Sequence, residues 1–448
     1  MTAPVRRASV FAFICTLALA VPLGGPWVGA AIAVVVILGA LAITDGPIFD
    51  LLAYPSDYED GRLYGLITFV LAAVALGLIA ITTSMSVSIF VGTVFLVGYG
   101  NLAEQAARRR TGNDVALVAV FCLVAAIAGI AGQAISISVT DGAGAVESVI
   151  PTLPTMAFLA ASGALLAALL RDVLFSRDDP IVMLSVGLLC WLLAELEPTH
   201  GALGIVAALA VTIALGYISY ALETASIAGM LTGILLGLLT IVLGGYGWFV
   251  VLISFFAIGG LSSKFRYEQK ETIGVAEDNN GARGSGNVLG NAAVAIVAVL
   301  GYAASSATLV PGDPNPTLFL FAFAGSVSTA MSDTLSSEIG SVFETPRLIT
   351  TLEPVEPGTD GGVTWQGELA GIVGAAVVAG ISYALFPEVT AVGAAIIVAA
   401  GIIGMTVDSL LGATLEGSVL GNQGVNFLAT LSGAIVSALL VLSFAVLG

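Results

Sequence analysis

The sequence predicts an all-α fold, a polytopic bundle of transmembrane helices with about fifteen spans, on three observations. Of its 448 residues 58% belong to the AVILMFWYC set and only 10% are charged; the mean hydropathy is +1.06. A soluble domain carries about 25% charge, so a water-soluble enzyme is excluded. At roughly 20 apolar residues per span, a chain of 448 residues has room for about fifteen spans and almost no soluble part.

The apolar runs centre on 9–23, 27–44, 63–82, 85–104, 115–137, 155–170, 181–196 and 202–221, then on 224–243, 246–262, 287–308, 316–332, 367–386, 390–408 and 425–447. Arg6 and Arg7 precede the first run, as in a signal peptide or twin-arginine signal. The stretch 22–26 lacks a small-x-small cleavage site, which favours an uncleaved first helix. With the N-terminus inside and the spans alternating, Arg6, Arg7, Arg62, Arg108, Arg109, Arg110, Arg171, Arg177, Lys264, Arg266, Lys270, Arg283 and Arg347 all fall on the inner face. The outer loops carry acids such as Asp141, Glu147, Glu197 and Asp313. The expected topology is N-in, C-out, multi-pass in the cell membrane, with the functional loops cytoplasmic.

Charge narrows the partners. Thirty acids against 13 bases give a net charge of −17, which argues against nucleic acid. An acidic surface with only two lysines resembles that of salt-loving archaea, a matter of habitat and not of fold. A single histidine, His200, excludes a His-rich zinc site. Cys15, Cys122 and Cys190 lie in apolar runs and suggest buried helix residues, not a disulfide framework. The 54 glycines are concentrated in the apolar runs, where small residues let helices pack closely or break to line a cavity.

Three inner segments are unlike ordinary connections. The first, 262–291, reads SSKFRYEQKETIGVAEDNNGARGSGNVLGN. Its Gly/Asn-rich turn leads into an apolar helix, and backbone N–H groups at such a helix start suit a phosphate. Lys264, Arg266, Lys270 and Arg283 would add countercharge, with Asn287 and Asn291 as candidate substrate contacts. The plainer alternative is a cytoplasmic loop obeying the positive-inside rule. The second segment, 332–338, reads SDTLSSE at the inner end of an apolar run. A carboxylate at bilayer depth costs about 2.5–3.5 kcal/mol and usually faces a site or a partner. Asp333 shares a helical face with Ser336 and Ser337, a candidate Mg²⁺ or coupling-ion site, with a solvated helix end as the alternative. Asp408-Ser409-Leu410 repeats the order of Asp333-Thr334-Leu335. Both aspartates are expected on the cytoplasmic side, where two carboxylates could share a divalent metal.

The third segment, 344–367, is a long inner loop with three prolines, and long ordered loops are often functional. Its only cation, Arg347, suits a bidentate phosphate contact; Thr350 and Thr351 follow it, and Gly361 and Gly362 close a GTDGG turn. Asn422 and Asn426 sit four apart at the start of the last helix.

Taken together, FFAIGGLSSKF, GARGSGNVLGN, SDTLSSEIG, PRLITTLEPVEPGTDGGV, DSLLGATLEG and NQGVNFLATL run in order over some 225 residues from about Glu223. Through them the chain resembles an integral-membrane family that includes plant phytyl-phosphate kinase. The resemblance implies phosphoryl transfer from a nucleoside triphosphate, CTP, to a membrane isoprenoid monophosphate (phytyl or geranylgeranyl). Asp333, Asp408 and Lys264 are then the catalytic candidates. Mg²⁺ would be held by Asp333, Asp408 and Glu338, and the phosphates by Lys264, Arg283 and Arg347. Through EDGRLYGLITF and GYGNLAEQAARRRTG, residues 1–200 resemble phytol and dolichol kinases. Those carry Gly-Asp where this chain has Gly100-Asn101, and a Lys-Ser motif where it reads Thr111-Gly112-Asn113-Asp114. Residues 1–200 are therefore expected to be a degenerate region and 201–448 the phytyl-phosphate-kinase-like domain, a bifunctional kinase being the alternative. The rival functions are a secondary transporter, which needs acids near the midplane of a two-sided cavity, and a non-catalytic lipid-binding protein. The sequence does not indicate the oligomeric state.

Overall fold

The computed structural model describes residues 3–142, 145–174, 179–198, 201–272, 283–310, 315–343 and 345–447. Arg177, His200, Asp313, Glu344 and positions 273–282 of the first polar segment lie outside the described residues. Each of the expected apolar runs folds as helix, so the protein is a polytopic helical bundle. Among the described residues thirteen helices are long and apolar enough to cross a membrane, or up to fourteen if a bent pair forms one span.

The difference from about fifteen has local causes. The second run stops at Ala42 and, after a bend of 115°, resumes at Gly46. Gly46 takes φ +84° and is followed by a proline, a pairing that starts a new helix in a new direction. The seventh run forms a helix of only 17 residues whose first residue, Asp179, is tied to Arg171.

The chain divides into two compact units, Met1–Ala207 and Ala208–Gly448. The first holds α1 (Ala3–Thr16), α2 (Ala20–Gly24), α3 (Pro26–Ala42), α4 (Gly46–Leu52) and α5 (Asp57–Asp60). It continues with α6 (Tyr64–Thr82), α7 (Val87–Ala107), α8 (Asp114–Asp141), α9 (Ala145–Val173) and α10 (Asp179–Glu195). Helix α11 (Ala202–Ala221) runs across the division.

The second unit holds α12 (Ile227–Leu239), which ends in a π-turn, α13 (Tyr246–Ser263), the short α14 (Tyr267–Thr272), α15 (Ser285–Ser306) and α16 (Pro316–Gly340). A small hairpin, β1 (Arg347–Leu348) against β2 (Gly362–Val363), precedes α17 (Trp365–Leu385), α18 (Ala391–Leu415) and α19 (Asn422–Leu447). Polar side chains cap the starts of α12, α16, α17 and α18. Asn315 Oδ1 accepts from Leu318 N at 3.2 Å, and Thr364 Oγ1 accepts from Gly367 N at 3.1 Å.

Helix α16 is the axis of this unit, buried along most of its length and packed by α13, α15, α17, α18 and α19. Hydroxyls stand among the apolar groups of its buried middle: Ser326, Ser328, Thr329 and Ser332 are all fully buried. Glycines opposite them admit the neighbouring helices. A Cβ placed on Gly404 of α18 or on Gly433 of α19 would collide with Thr329 Oγ1. Thr329 in turn donates to the carbonyl of Gly325 at 3.0 Å and to that of Ala400 at 3.3 Å. Lipid tails are as apolar as the side chains, so such backbone-close packing and hydrogen bonding is what holds membrane helices together.

Gly404→Val and Gly433→Val are therefore expected to cost about 1–3 kcal/mol or more by overpacking. Gly380→Ala on α17, where a Cβ meets nothing within 4 Å, should cost nothing. Thermal unfolding of the purified variants in detergent checks this.

Candidate functional site

The C-terminal ends of α16 and α18, the N-terminal turns of α15 and α19, and the hairpin loop enclose a polar cavity of about 350 Å³. The sequence repeat explains its centre. Thr329 and Asp333 are one helical turn apart on α16, and Gly404 and Asp408 are one turn apart on α18. With Thr329 seated on Gly404, the aspartates a turn further on meet side by side, their carboxyls within hydrogen-bonding reach. Two carboxylates this close repel unless a proton or a cation lies between them. Asp408 Oδ1 is buried and has no hydrogen-bond partner among the described residues.

Arg283 is the only cation among the residues lining the cavity. Its backbone is clamped, its N–H donating to the carbonyl of Thr224 at 3.0 Å and its carbonyl accepting from Ser226 N at 3.1 Å. Its guanidinium lies 5.6 Å from the centre of the Phe255 ring and passes over Gly259 of α13. Although the residue is only 8% exposed, no carboxylate lies within ion-pair distance among the described residues. A buried guanidinium not ion-paired to a carboxylate is available to bind an anion. Asn287 and Asn291, four apart on α15, also line the cavity, Asn291 Nδ2 donating to the Asn287 carbonyl at 3.0 Å. Asn422 and Asn426 line it from α19.

The hairpin loop folds back over α18. Gly361 takes φ +74° and sits so close to Ser409 and Ala413 that a Cβ would lie 2.6 Å from the Ser409 carbonyl oxygen. Gly361 and Gly362 both reach the cavity wall. Glu338 reaches it as well, with its charge balanced from behind by Lys270, which is 2% exposed and ion-paired to Glu338 Oε2.

Several expected contacts do not line the cavity. Lys264 Nζ donates to the Leu222 carbonyl at 2.9 Å, and Arg266 lies against the Phe265 ring. Lys270 is committed to Glu338. Arg347 turns into its own hairpin, donating to the Leu352 carbonyl at 2.7 Å, and Thr350 and Thr351 are exposed at that tip. In their place the cavity gains Glu416 and Asp360, neither singled out from the sequence. Glu416 was within sight, since it lies two helical turns after Asp408 inside DSLLGATLEG. Burial and the nearby Asp360 carboxylate push the Glu416 carboxyl above its ordinary range, while a hydrogen bond with Asn422 opposes this.

The walls thus present five carboxylates (Asp333, Glu338, Asp360, Asp408, Glu416) and one arginine. Among the described residues no three His, Cys, Asp or Glu groups converge to hold a metal unaided. The first unit offers a contrast. There Arg171 pairs with Asp179 and Glu104 and donates to Asn101 Oδ1 at 2.9 Å, so its charge is already met inside the protein.

Residues 210–434 match a family described as integral membrane protein DUF92. An uncharacterised membrane protein of Methanocaldococcus jannaschii is 35% identical over 218 residues, 47% of this chain and 84% of that protein. Protein VTE6, chloroplastic, of Arabidopsis thaliana is 34% identical over 220 residues, 48% of this chain and 65% of that protein. An uncharacterised membrane protein of a Synechocystis species is 31% identical over 202 residues, 44% of this chain and 76% of that protein. No solved structure matches the chain.

Lys270→Met strands the Glu338 carboxylate and is expected to cost about 3–5 kcal/mol of stability. The double variant Lys270→Met/Glu338→Met, which removes both charges, should recover most of that loss. Thermal melts of the two proteins side by side give the comparison.

Proposed function

The chain belongs to the integral membrane family DUF92, and from that premise we propose that it transfers a phosphoryl group from a nucleoside triphosphate to a membrane isoprenoid monophosphate. CTP is the proposed donor, and phytyl or geranylgeranyl phosphate the proposed acceptor, as the resemblance to plant phytyl-phosphate kinase implies. The observation that carries the proposal is the cavity itself. It joins a buried arginine that has no ion-pair partner among the described residues to two neighbouring aspartates on helices packed in register.

In this reaction an oxygen of the acceptor phosphate bonds to the γ-phosphorus as the bond to the β–γ bridging oxygen breaks. The products are the isoprenoid diphosphate and a nucleoside diphosphate. Such a transfer needs positioning and charge neutralisation more than covalent help from the protein. Arg283 would hold an anionic phosphate oxygen, and the paired asparagines of α15 and α19 would orient the polar groups around it. The loop at Gly361 and Gly362 brings backbone close to whatever occupies the cavity.

The acid excess fits a magnesium-bound nucleotide better than a bare one. Asp408 Oδ1 is a buried oxygen without a partner, and Asp333 is its immediate neighbour. One or two carboxylates, with waters and phosphate oxygens completing the shell, is the ordinary set for Mg²⁺. Asp333 and Asp408 would hold the ion, with Glu416 and Asp360 at the rim. When bound, Mg²⁺ would neutralise the charge on the triphosphate.

Depth supports a site served from one side. Asp333 and Asp408 each lie seven residues before the end of their helices, about 10 Å at 1.5 Å per residue. The cavity opens among helix ends and loops, the placement expected for a nucleotide arriving from the cytoplasm.

Purified protein with Mg²⁺, CTP labelled in its γ-phosphate and geranylgeranyl phosphate should yield labelled diphosphate. Asp333→Asn and Asp408→Asn should each lower the rate roughly 10²–10³-fold, as loss of one preorganised electrostatic contact does. Folded protein that forms no diphosphate with any nucleoside triphosphate would overturn the proposal.

A further inference from the structure

Arg283 lines a second space besides the polar cavity. Between α11, α12 and α13 runs a groove of about 80 Å³ walled by Leu215, Met230, Phe249, Ile253 and Phe256. Arg283 is the only charged residue on that wall. Arg283 thus belongs to the walls of both a mostly apolar groove and a polar cavity, its backbone bonded to Thr224 and Ser226 and its guanidinium beside Gly259. This is the arrangement an amphiphile with one anionic end requires: apolar wall for the chain, cation for the head.

The glycines along the groove are of two kinds. Gly229 and Gly216 are packing glycines: a Cβ on Gly229 would run into the Arg283 carbonyl, and one on Gly216 would run into the Ile234 side chain. Gly233 on α12 and Gly260 on α13 have no neighbour within 4 Å of the Cβ position, although both line the groove. No helix contact needs their smallness. What they leave is open width.

We propose that this groove receives the isoprenyl chain of the acceptor next to its phosphate, with Arg283 holding the head and Gly233 and Gly260 setting the width that admits a branched chain. The assignment rests on the phosphoryl-transfer reading for the identity of the ligand. The groove is too small for a whole diterpenyl chain; it takes the end adjoining the phosphate, and the rest of the chain lies in the bilayer. Its few polar groups, the hydroxyls of Thr212, Ser219 and Thr224, make it a poor seat for a nucleotide.

Binding without turnover tests this apart from the reaction. Labelled geranylgeranyl monophosphate should bind the purified full chain saturably in detergent with no nucleotide present. Gly233→Phe and Gly260→Phe should each weaken that binding at least tenfold. Gly380→Phe, on the open face of α17, should bind as the unsubstituted protein does. Unchanged affinity in both groove variants, with melting temperatures equal to that of the parent, would overturn the proposal. So would equal competition by phosphatidic acid, which would make this a general anionic-lipid site. Should the Phe variants fail to fold, a geranylgeranyl phosphate with a photoreactive diazirine near its phosphate end decides on the unaltered protein. Label on α12 and α13 supports the groove, and label only elsewhere contradicts it. Saturable binding with no diphosphate formed would sink the phosphoryl-transfer reading and leave the groove standing.

Discussion

The second unit depends on the seating of one threonine between glycines. Thr329 lies against Gly404 of α18 and Gly433 of α19, with its hydroxyl bonded to carbonyls of α16 and α18. In a bilayer, where burying apolar surface gives helices little reason to associate, this close contact sets their separation and register. One turn further on, the same register brings Asp333 and Asp408 together. The aspartates do not need to attract each other, because the glycines below them impose the distance. Two carboxylates held this close repel unless a proton or a cation lies between them.

The charge distribution follows from which cations are already committed. Lys270 is buried against Glu338, Lys264 is bonded to a backbone carbonyl, and Arg347 closes its own hairpin. Arg283 is left without a carboxylate among the described residues, held by backbone bonds to Thr224 and Ser226 and facing both cavity and groove. One free cation among five carboxylates would repel a bare triphosphate. The same walls suit a triphosphate that arrives with a divalent ion. In the first unit Arg171 is ion-paired with Asp179 and Glu104 and donates to Asn101, so its charge, unlike that of Arg283, is met by carboxylates.

Much of this was legible in the linear pattern. Long apolar runs made the helices certain, because only a helix satisfies its own backbone in lipid. The Asp-Ser/Thr-Leu repeat pointed to Asp333 and Asp408 because a carboxylate near a span's end is costly enough to need a purpose. Arg283 and the asparagines of α15 stood out through the turn that introduces them. What could not be read was which cations were already paired. Lys270 and Arg283 look alike in a loop, and only the tertiary approach of Glu338 to one of them separates a structural ion pair from an open receptor. Glu416 escaped notice for a related reason, since its alignment with Asp408 continues beyond the last residue of the helix. The break after Ala42 was hidden by an apolar run that continues through it, although Gly46 and the proline after it marked the place.

The pairing of Asp333 with Asp408 as a cation site is tested most directly by Mn²⁺ in place of Mg²⁺, followed by electron paramagnetic resonance on the purified protein with CTP. The geometry predicts a protein-bound Mn²⁺ signal in the unsubstituted chain that is lost in both Asp333→Asn and Asp408→Asn, with the variants still folded. Equal binding of Mn²⁺ in all three proteins would contradict it.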